Sequence, residues 1–158
     1  VSRRVDAISL LHQELHQAAE IETVPLDRFI PRVIALLQDS APENIAIEAE
    51  IDPIKVGSAH ASAIGIIVSE FVANSLKHGF AGGRPGTVSL SLLNGGDGQV
   101  TLTCSDNGAG TGSATRPTSA AEGLGHRLVD AAASQLGTKV TRTATEDGFT
   151  LSLTFAQA

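Results

Sequence analysis

Residues 64–80 (IGIIVSEFVANSLKHGF) carry an acid, an amide and a cation at helical spacing. At about 3.6 residues per turn, Glu70, Asn74 and Lys77 fall on one face of a helix, with His78 beside them. An amide oxygen can ligate a hard divalent cation, a carboxylate can hold the waters of that cation, and an ammonium can meet phosphate oxygens. An ordinary amphipathic helix would show the same pattern, so this stretch alone leaves both interpretations open.

A second candidate is the sequence DNGAG, which directly follows a predicted strand. The Asp106 carboxylate can accept a hydrogen bond from an amino group such as the exocyclic amine of adenine, and Gly108 and Gly110 let the backbone approach a flat ring or phosphates. A calcium loop would need glutamate where Pro117 stands, and a dinucleotide fingerprint would need glycine where Ser113 stands. A plain turn remains an alternative.

The third candidate, Gly123-Leu124-Gly125, stands at the start of a helix predicted over residues 124–136. Unpaired amides and the positive end of the helix dipole favour phosphate at such a position. A glycine before a helix is common, so this motif is weak by itself.

Hydrophobic periodicity predicts the elements that must position these groups. Helices are expected over residues 3–20, after Asp27 with Pro31 in the first turn, from about Ser58 to 80, and over 124–136. Alternating strands are expected over 44–52, 87–93, 99–105, 139–144 and 149–155, with a turn-rich loop at 94–98 and a long polar segment at 106–122.

The order of these elements predicts the fold class. Strands outnumber crossover helices, so we expect an α/β (α+β) two-layer sandwich: a mixed, mostly antiparallel sheet covered on one face by helices.

Composition limits the class of protein. The 158 residues suggest one domain with a short appendage, and a hydrophobic share of 42% can supply a core. A net charge of −6 argues against nucleic acid or an anionic membrane as partner, and no apolar run is expected to approach the ~20 residues of a membrane span. The single Cys104 alternates with Val100 and Leu102, which predicts a buried thiol and fits a reducing compartment. The chain contains no methionine, which favours a piece of a longer protein.

Taken in order, the three motifs resemble the ATP-binding domain of sensor histidine kinases, within the superfamily that includes gyrase, the Hsp90 chaperones and MutL. SEFVANSLKHGF resembles the N box, DNGAG the first glycine box, and EGLGHRLVDAAASQLG the second. The resemblance covers about residues 64–137 and implies a Bergerat-type ATP-binding fold.

The N-terminal sequences RRVDAISLLHQEL and VPLDRFIPRVIALL resemble the end of the dimerisation region in the kinase subclass related to the HWE kinases. The chain lacks tryptophan, so the sister subclass is favoured. This resemblance implies a partial helical dimerisation segment at 1–40, the ATP-binding catalytic domain at 41–158, and a phosphoacceptor histidine further upstream. His12 and His16 are followed by glutamine rather than by an acidic residue and are poor substitutes.

The resemblance also implies residue roles. Asn74 would ligate Mg²⁺, Glu70 would orient a metal-bound water, and Lys77 and His78 would contact phosphates. Asp106 would fix adenine. The residues expected to line the nucleotide are Gly108, Gly110, Gly123, Leu124 and Gly125, with residues 111–122 as the ATP lid.

One departure concerns the last strand, where the superfamily often carries Gly-Thr near adenine. Here Phe149 follows Gly148, and Thr150 is the expected substitute contact.

The implied function is a two-component histidine kinase catalytic domain that binds Mg-ATP and transfers the γ-phosphate to a histidine outside these residues. Expected partners are its own dimerisation domain and a response regulator, in a homodimeric parent protein located in a bacterial cytoplasm or anchored at its membrane. Two alternatives remain: a protein serine kinase of the anti-sigma-factor type, and a non-catalytic phosphotransfer or docking module. The N-terminal helical segment disfavours the first, and intact Glu70, Asn74 and Asp106 disfavour the second.

Overall fold

A five-stranded mixed sheet with helices on one face forms the body of the described chain. The computed structural model describes residues 23–80, 83–108, 120–145 and 147–157, and for residues 120–124 it describes the backbone alone. The elements in chain order are β1 (Val24–Pro25), α1 (Leu26–Ser40), β2 (Ile45–Ile51), β3 (Lys55–Val56), α2 (Ser58–Asn74) continued by a π-helical turn (Ser75–Gly79), β4 (Gly86–Asn94), β5 (Gln99–Asp106), α3 (Ala120–Gln135), β6 (Thr141–Thr145) and β7 (Gly148–Ala156).

The strand order in the sheet is β2-β4-β5-β7-β6. β2 pairs with β4 in parallel, and the remaining neighbours are antiparallel. β1 and β3 form a separate two-stranded ribbon. The predicted mixed, mostly antiparallel sheet is confirmed.

Alternation along the central strands places one face of the sheet in the core. Leu90 lies opposite Cys104, and Cys104 lies opposite Leu151 in the next strand pair, and all three side chains are buried. The intervening positions are mostly serine and threonine and are partly exposed. Cys104 is therefore a buried thiol, as its alternation with apolar residues predicts.

α2 is the central helix of the helical layer. Ile64, Ile67 and Val68 are fully buried, and α3 packs beside the helix. The expectation that no apolar run approaches a membrane span is wrong for this helix, because residues Ser58–Gly79 include an 18-residue window of mean hydropathy 1.3. More than half of that window is buried inside the fold, at 56%, which is the pattern of a core helix.

α1 packs against α2 and β2, and Leu26 and Ile30 are buried in the same core as the sheet. Pro31 is the sixth residue of α1, one turn later than predicted, because the helix begins at Leu26. The Gln38 side chain donates to the carbonyl of Ile45 and accepts from the Ile47 amide, which covers part of the outer edge of β2. The domain boundary at residue 40 stays a prediction, but the packing joins α1 to the sheet.

α3 begins at Ala120, four residues before the predicted start, so the Gly-Leu-Gly motif lies within the helix instead of at its tip. Several expectations fall outside the described residues: the helix at 3–20 with His12 and His16, and Gly110 with most of the predicted lid.

Candidate functional site

A cleft lies between α2, α3 and the edge of the sheet formed by β6 and β7. Its cavity volume is about 100 Å³. The described residues that line it are Glu70, Phe71, Ala73, Asn74, Lys77, Gly125, His126, Val129, Arg142 and Leu151. The predicted acid, amide and cation of α2 therefore share one cavity with part of the second glycine motif.

The C-terminal end of α2 presents these polar groups at the border of the core. Phe71 and Val72 are buried, Glu70 and Asn74 are half-buried, and Lys77 is exposed. The last five residues, Ser75–Gly79, wind as a π-helical turn. Such turns are frequent at functional sites, and this one carries Lys77 and His78.

α3 approaches α2 closely at Gly125. A Cβ atom at this position would lie 3.1 Å from Oε2 of Glu70. Real Cβ contacts are rarely so short, so glycine allows the backbone of α3 to pass next to the Glu70 carboxylate. This contact places the second glycine motif against the N-box acid.

Asp106 ends β5 and is buried, with a relative exposure of 7%. Its Oδ2 accepts a hydrogen bond of 2.6 Å from the Ser75 hydroxyl, and its Oδ1 accepts one of 3.1 Å from the Gly108 amide. Asp106 does not line the cleft itself. It is joined to the cleft through Ser75, the residue that follows the cleft residue Asn74.

Glycines allow three backbone segments to meet around Asp106. A Cβ at Gly108 would lie 2.3 Å from the carbonyl oxygen of Gly79, and a Cβ at Gly148 would lie 1.9 Å from that of Asp106. Neither distance is possible for a real side chain, so both positions require glycine. The first glycine motif thus packs directly on the end of the α2 helix.

Phe149, and not Thr150, shares a sheet face with Asp106. Phe149 is the register partner of Asp106 and stacks on Phe71, with ring centroids 6.1 Å apart. Thr150 pairs with Ser105 and lies on the opposite face. The expected contact of Thr150 with the same ligand is therefore not supported by its position.

The donor set fits a hard divalent cation held partly by water and phosphate. Asn74 offers an amide oxygen and Glu70 a carboxylate on the same cavity, which are ligand types that Mg²⁺ accepts. The described residues contain no group of three or more His, Cys, Asp or Glu side chains that could hold a metal ion by themselves. A cation at this site would complete its coordination with water or with the oxygens of a phosphorylated molecule.

Sequence reasoning missed three residues of the site. Ser75 holds Asp106, Arg142 lines the cleft from β6, and His126 lines it from α3. Ser75 and His126 lay within quoted motifs, whereas Arg142 lay outside all of them. The contact of Ser75 with Asp106 and the position of Arg142 on the cleft come from pairings between distant segments, which periodicity does not reveal.

Comparisons with known proteins agree with this geometry. The family model described as "Histidine kinase-, DNA gyrase B-, and HSP90-like ATPase" matches residues 59–158. Blue-light-activated histidine kinase 2 of Erythrobacter litoralis (strain HTCC2594) is 32% identical over 117 residues, which cover 70% of this chain and 33% of the relative. The chain thus spans about a third of the length of that relative.

Among solved structures, the histidine kinase domain of the Erythrobacter litoralis EL346 blue-light activated histidine kinase has a TM-score of 0.81 at 26% identity, over 98% of this chain and 78% of that one. The mycobacterial sensor histidine kinase MprB shares the fold, with a TM-score of 0.67 at 21% identity over 85% of this chain and 97% of that one. The resemblance to histidine kinase ATP-binding domains is confirmed. The chain belongs to the family of histidine kinase-, DNA gyrase B- and HSP90-like ATPases.

Proposed function

We propose that this chain is the ATP-binding catalytic domain of a two-component sensor histidine kinase of the subclass related to the HWE kinases. It would bind Mg-ATP and present the γ-phosphate to a histidine on a dimerisation helix of the parent protein. One observation carries the proposal: Asn74 lines the cleft while the next residue, Ser75, holds the buried carboxylate of Asp106. The proposed base-recognition group and the proposed metal ligand are thus linked through two neighbouring residues, Asn74 and Ser75.

Each polar residue has a role in this proposal. Asp106 accepts a hydrogen bond from the adenine amino group and discriminates against bases that lack it. Asn74 offers its amide oxygen to Mg²⁺, and Glu70 holds a water of that ion. Lys77 and His78 contact phosphate oxygens. When bound, Mg²⁺ neutralises charge on the phosphates.

Catalysis of this kind depends on positioning and on charge neutralisation, and it requires no covalent nucleophile from the domain. The domain orients the nucleotide, and the histidine of the dimerisation helix supplies the attacking nitrogen. The proposed partners are therefore the dimerisation domain of the parent protein and a response regulator that receives the phosphate. The proposed location is the bacterial cytoplasm.

Calorimetric titration of the chain with ADP and with a non-hydrolysable ATP analogue tests the proposal. We expect saturable binding that is stronger with Mg²⁺ than with EDTA. Absence of binding under both conditions would contradict the proposed function and would favour the non-catalytic module.

A second experiment separates histidine from serine kinases. With radiolabelled ATP and the full-length parent, we expect label on a histidine, which is lost on mild acid treatment, and no label on this chain alone. Acid-stable label on a partner protein would favour the serine kinase, and label on His12 or His16 of this chain would contradict the upstream phosphoacceptor.

A further inference from the structure

Arg142 is a cleft residue to which the family resemblance assigns no role. It lies on β6, at the edge of the sheet, and pairs in register with Leu151 on β7. Leu151 is buried and also lines the cleft. Because register partners share a face, the Arg142 side chain leaves the sheet on the side covered by the helices.

One ion pair, with Asp130, orients the guanidinium group of Arg142. Its Nη2 donates a hydrogen bond of 3.0 Å to Oδ1 of Asp130 on α3, and this is its one hydrogen bond to the described residues. The side chain of Arg142 is 28% exposed, and that of Asp130 is 59% exposed. A guanidinium carries five N–H donors in a rigid fork, so the pair with Asp130 orients the fork and leaves donors for an anion.

The location of Arg142 along the sheet indicates which part of a nucleotide it would meet. Asp106 pairs with Phe149, whereas Arg142 pairs with Leu151, two residues further along β7 and on its other side. Arg142 is therefore displaced from the base-recognition end of the site. The group of a nucleotide furthest from the base is its terminal phosphate.

Charge supports the same assignment. The chain has a formal net charge of −6, so long-range attraction does not favour a polyphosphate and local cations must bind it. Among the described residues that line the cleft, the lysine and arginine side chains are those of Lys77 and Arg142, and the acid is Glu70. Lys77 approaches from α2 and Arg142 from the sheet, so together they would contact an anion from two directions.

We propose that Arg142 binds the terminal phosphate of the nucleotide from the sheet side of the cleft, with Asp130 as a positioning residue for its guanidinium. This inference rests on the proposed function and adds a phosphate-binding residue to that site.

The test compares the affinities of ADP and of a non-hydrolysable ATP analogue in the presence of Mg²⁺. For Arg142→Ala we expect affinity for the ATP analogue to fall about tenfold and that for ADP to change by less than about twofold. Arg142→Lys keeps the charge but loses the fork, so we expect an intermediate loss. Because Arg142→Lys preserves the long side chain, it also provides a result if the alanine variant does not fold.

Two further variants separate phosphate binding from other effects. Lys139→Ala removes one exposed positive charge next to β6 but outside the cleft, and we expect both affinities to be unchanged. Asp130→Asn removes the charge that orients the guanidinium but keeps Arg142, so we expect a loss for the ATP analogue that is smaller than that in Arg142→Ala, with the affinity for ADP unchanged.

Three outcomes would overturn the inference. One is unchanged binding of the ATP analogue to both Arg142 variants. Another is an equal loss for ADP and the ATP analogue, which would mean that Arg142 does not distinguish the terminal phosphate. The third is an equal loss for ADP and the ATP analogue in Asp130→Asn, which would mean that the ion pair only anchors α3. Absence of nucleotide binding by the unsubstituted chain would instead contradict the proposed function itself.

Discussion

The hydroxyl of Ser75 lies 2.6 Å from Oδ2 of Asp106 and donates a buried hydrogen bond to it. The two residues are 31 positions apart in sequence, one in the π-helical turn after α2 and the other at the end of β5. The contact fixes the Asp106 carboxylate relative to Asn74, the residue before Ser75. The proposed base-recognition group and the proposed metal ligand are therefore held in a fixed relation to each other.

Removal of this hydroxyl should weaken both folding and binding. For Ser75→Ala we expect a loss of about 1–3 kcal/mol in the free energy of unfolding, because a buried charged group loses a hydrogen bond. The affinity for ADP should also fall. Chemical denaturation and calorimetry measure the two effects. Ser69→Ala is the matched control, because the Ser69 hydroxyl on the same helix is buried and has no hydrogen-bond partner among the described residues. Equal losses in both variants would contradict a specific role for Ser75.

Loss of the charge on Asp106 should weaken the binding of nucleotides, whatever their number of phosphates. We expect Asp106→Asn to lower the affinities for ADP and for an ATP analogue by a similar factor, about tenfold or more, because a charged acceptor for the adenine amine is lost. Asp97→Asn serves as control, since it removes an exposed carboxylate in the β4–β5 loop. Unchanged affinity in Asp106→Asn would show that the adenine assignment is wrong.

Asn74 should matter for phosphate transfer more than for folding. In the full-length parent, Asn74→Asp should lower the rate of histidine phosphorylation by about a hundredfold or more, because it adds a negative charge beside the metal and the phosphates. Asn94→Asp, on the exposed end of β4, should leave the rate unchanged. Radiolabel transfer measures both, and a normal rate in Asn74→Asp would remove the metal role.

Gly108 lies so close to the backbone of Gly79 that even the methyl group of alanine should clash there. A Cβ at Gly108 would lie 2.6 Å from the Gly79 carbonyl carbon, so Gly108→Ala should destabilise the fold by about 1–3 kcal/mol. Gly65 lies inside α2, and a Cβ there would lie 3.5 Å from the Phe29 side chain of α1, which is an ordinary contact, so Gly65→Ala should stabilise the fold by about 0.5–1 kcal/mol. Thermal and urea denaturation measure both changes in the free energy of unfolding, and changes of the same sign would contradict these two packing contacts.

Burial raises the pKa of the Cys104 thiol. The folded chain should therefore resist thiol reagents at pH 8 and react only after unfolding, as a colorimetric thiol assay would show. Because the pKa is higher in the folded state, the contribution of the buried, protonated thiol to the free energy of unfolding is complete below the unfolded pKa of about 8.5. This contribution is lost as the pH rises above that value. The stability difference between the unsubstituted chain and Cys104→Ala should shrink by about 2 kcal/mol between about pH 7.5 and 10. Rapid labelling of the folded chain would contradict this.

Local periodicity predicted much of the fold and three of the ten described residues that line the cleft. The spacing of Glu70, Asn74 and Lys77 follows from the helical repeat, which is a local property, and these three residues do line one cleft. The alternation of Val100, Leu102 and Cys104 predicted their shared burial for the same reason. The predicted extent of α2, from about Ser58 to 80, is also close to the observed one, because many apolar residues mark this helix in the sequence.

The features that were missed depend on pairing between segments that are distant in the sequence. β6 reads TRTAT, without an apolar alternation to mark its inner face, so only its pairing with β7 shows that Arg142 faces the cleft. Thr150 looked like a substitute contact because it is close to Gly148 in sequence, but the strand register puts Phe149 next to Asp106. The predicted start of α3 missed the four residues from Ala120, because small residues beside glycine carry little periodic signal.

The glycine contacts around Asp106 have a consequence for how the two ends of the site behave. At the Asp106 end, main chain lies directly on main chain, because Gly108 meets Gly79 and Gly148 meets the Asp106 carbonyl. Main-chain contacts of this kind form when the polypeptide folds, and they involve no side-chain rotamers that could change. At the opposite end, Lys77 is exposed and its side chain can adopt several rotamers, whereas the guanidinium of Arg142 is oriented by Asp130. In the proposed complex, the adenine end of the site would therefore keep one shape, while the Lys77 side chain at the phosphate end would adjust to ATP before transfer and to ADP afterwards.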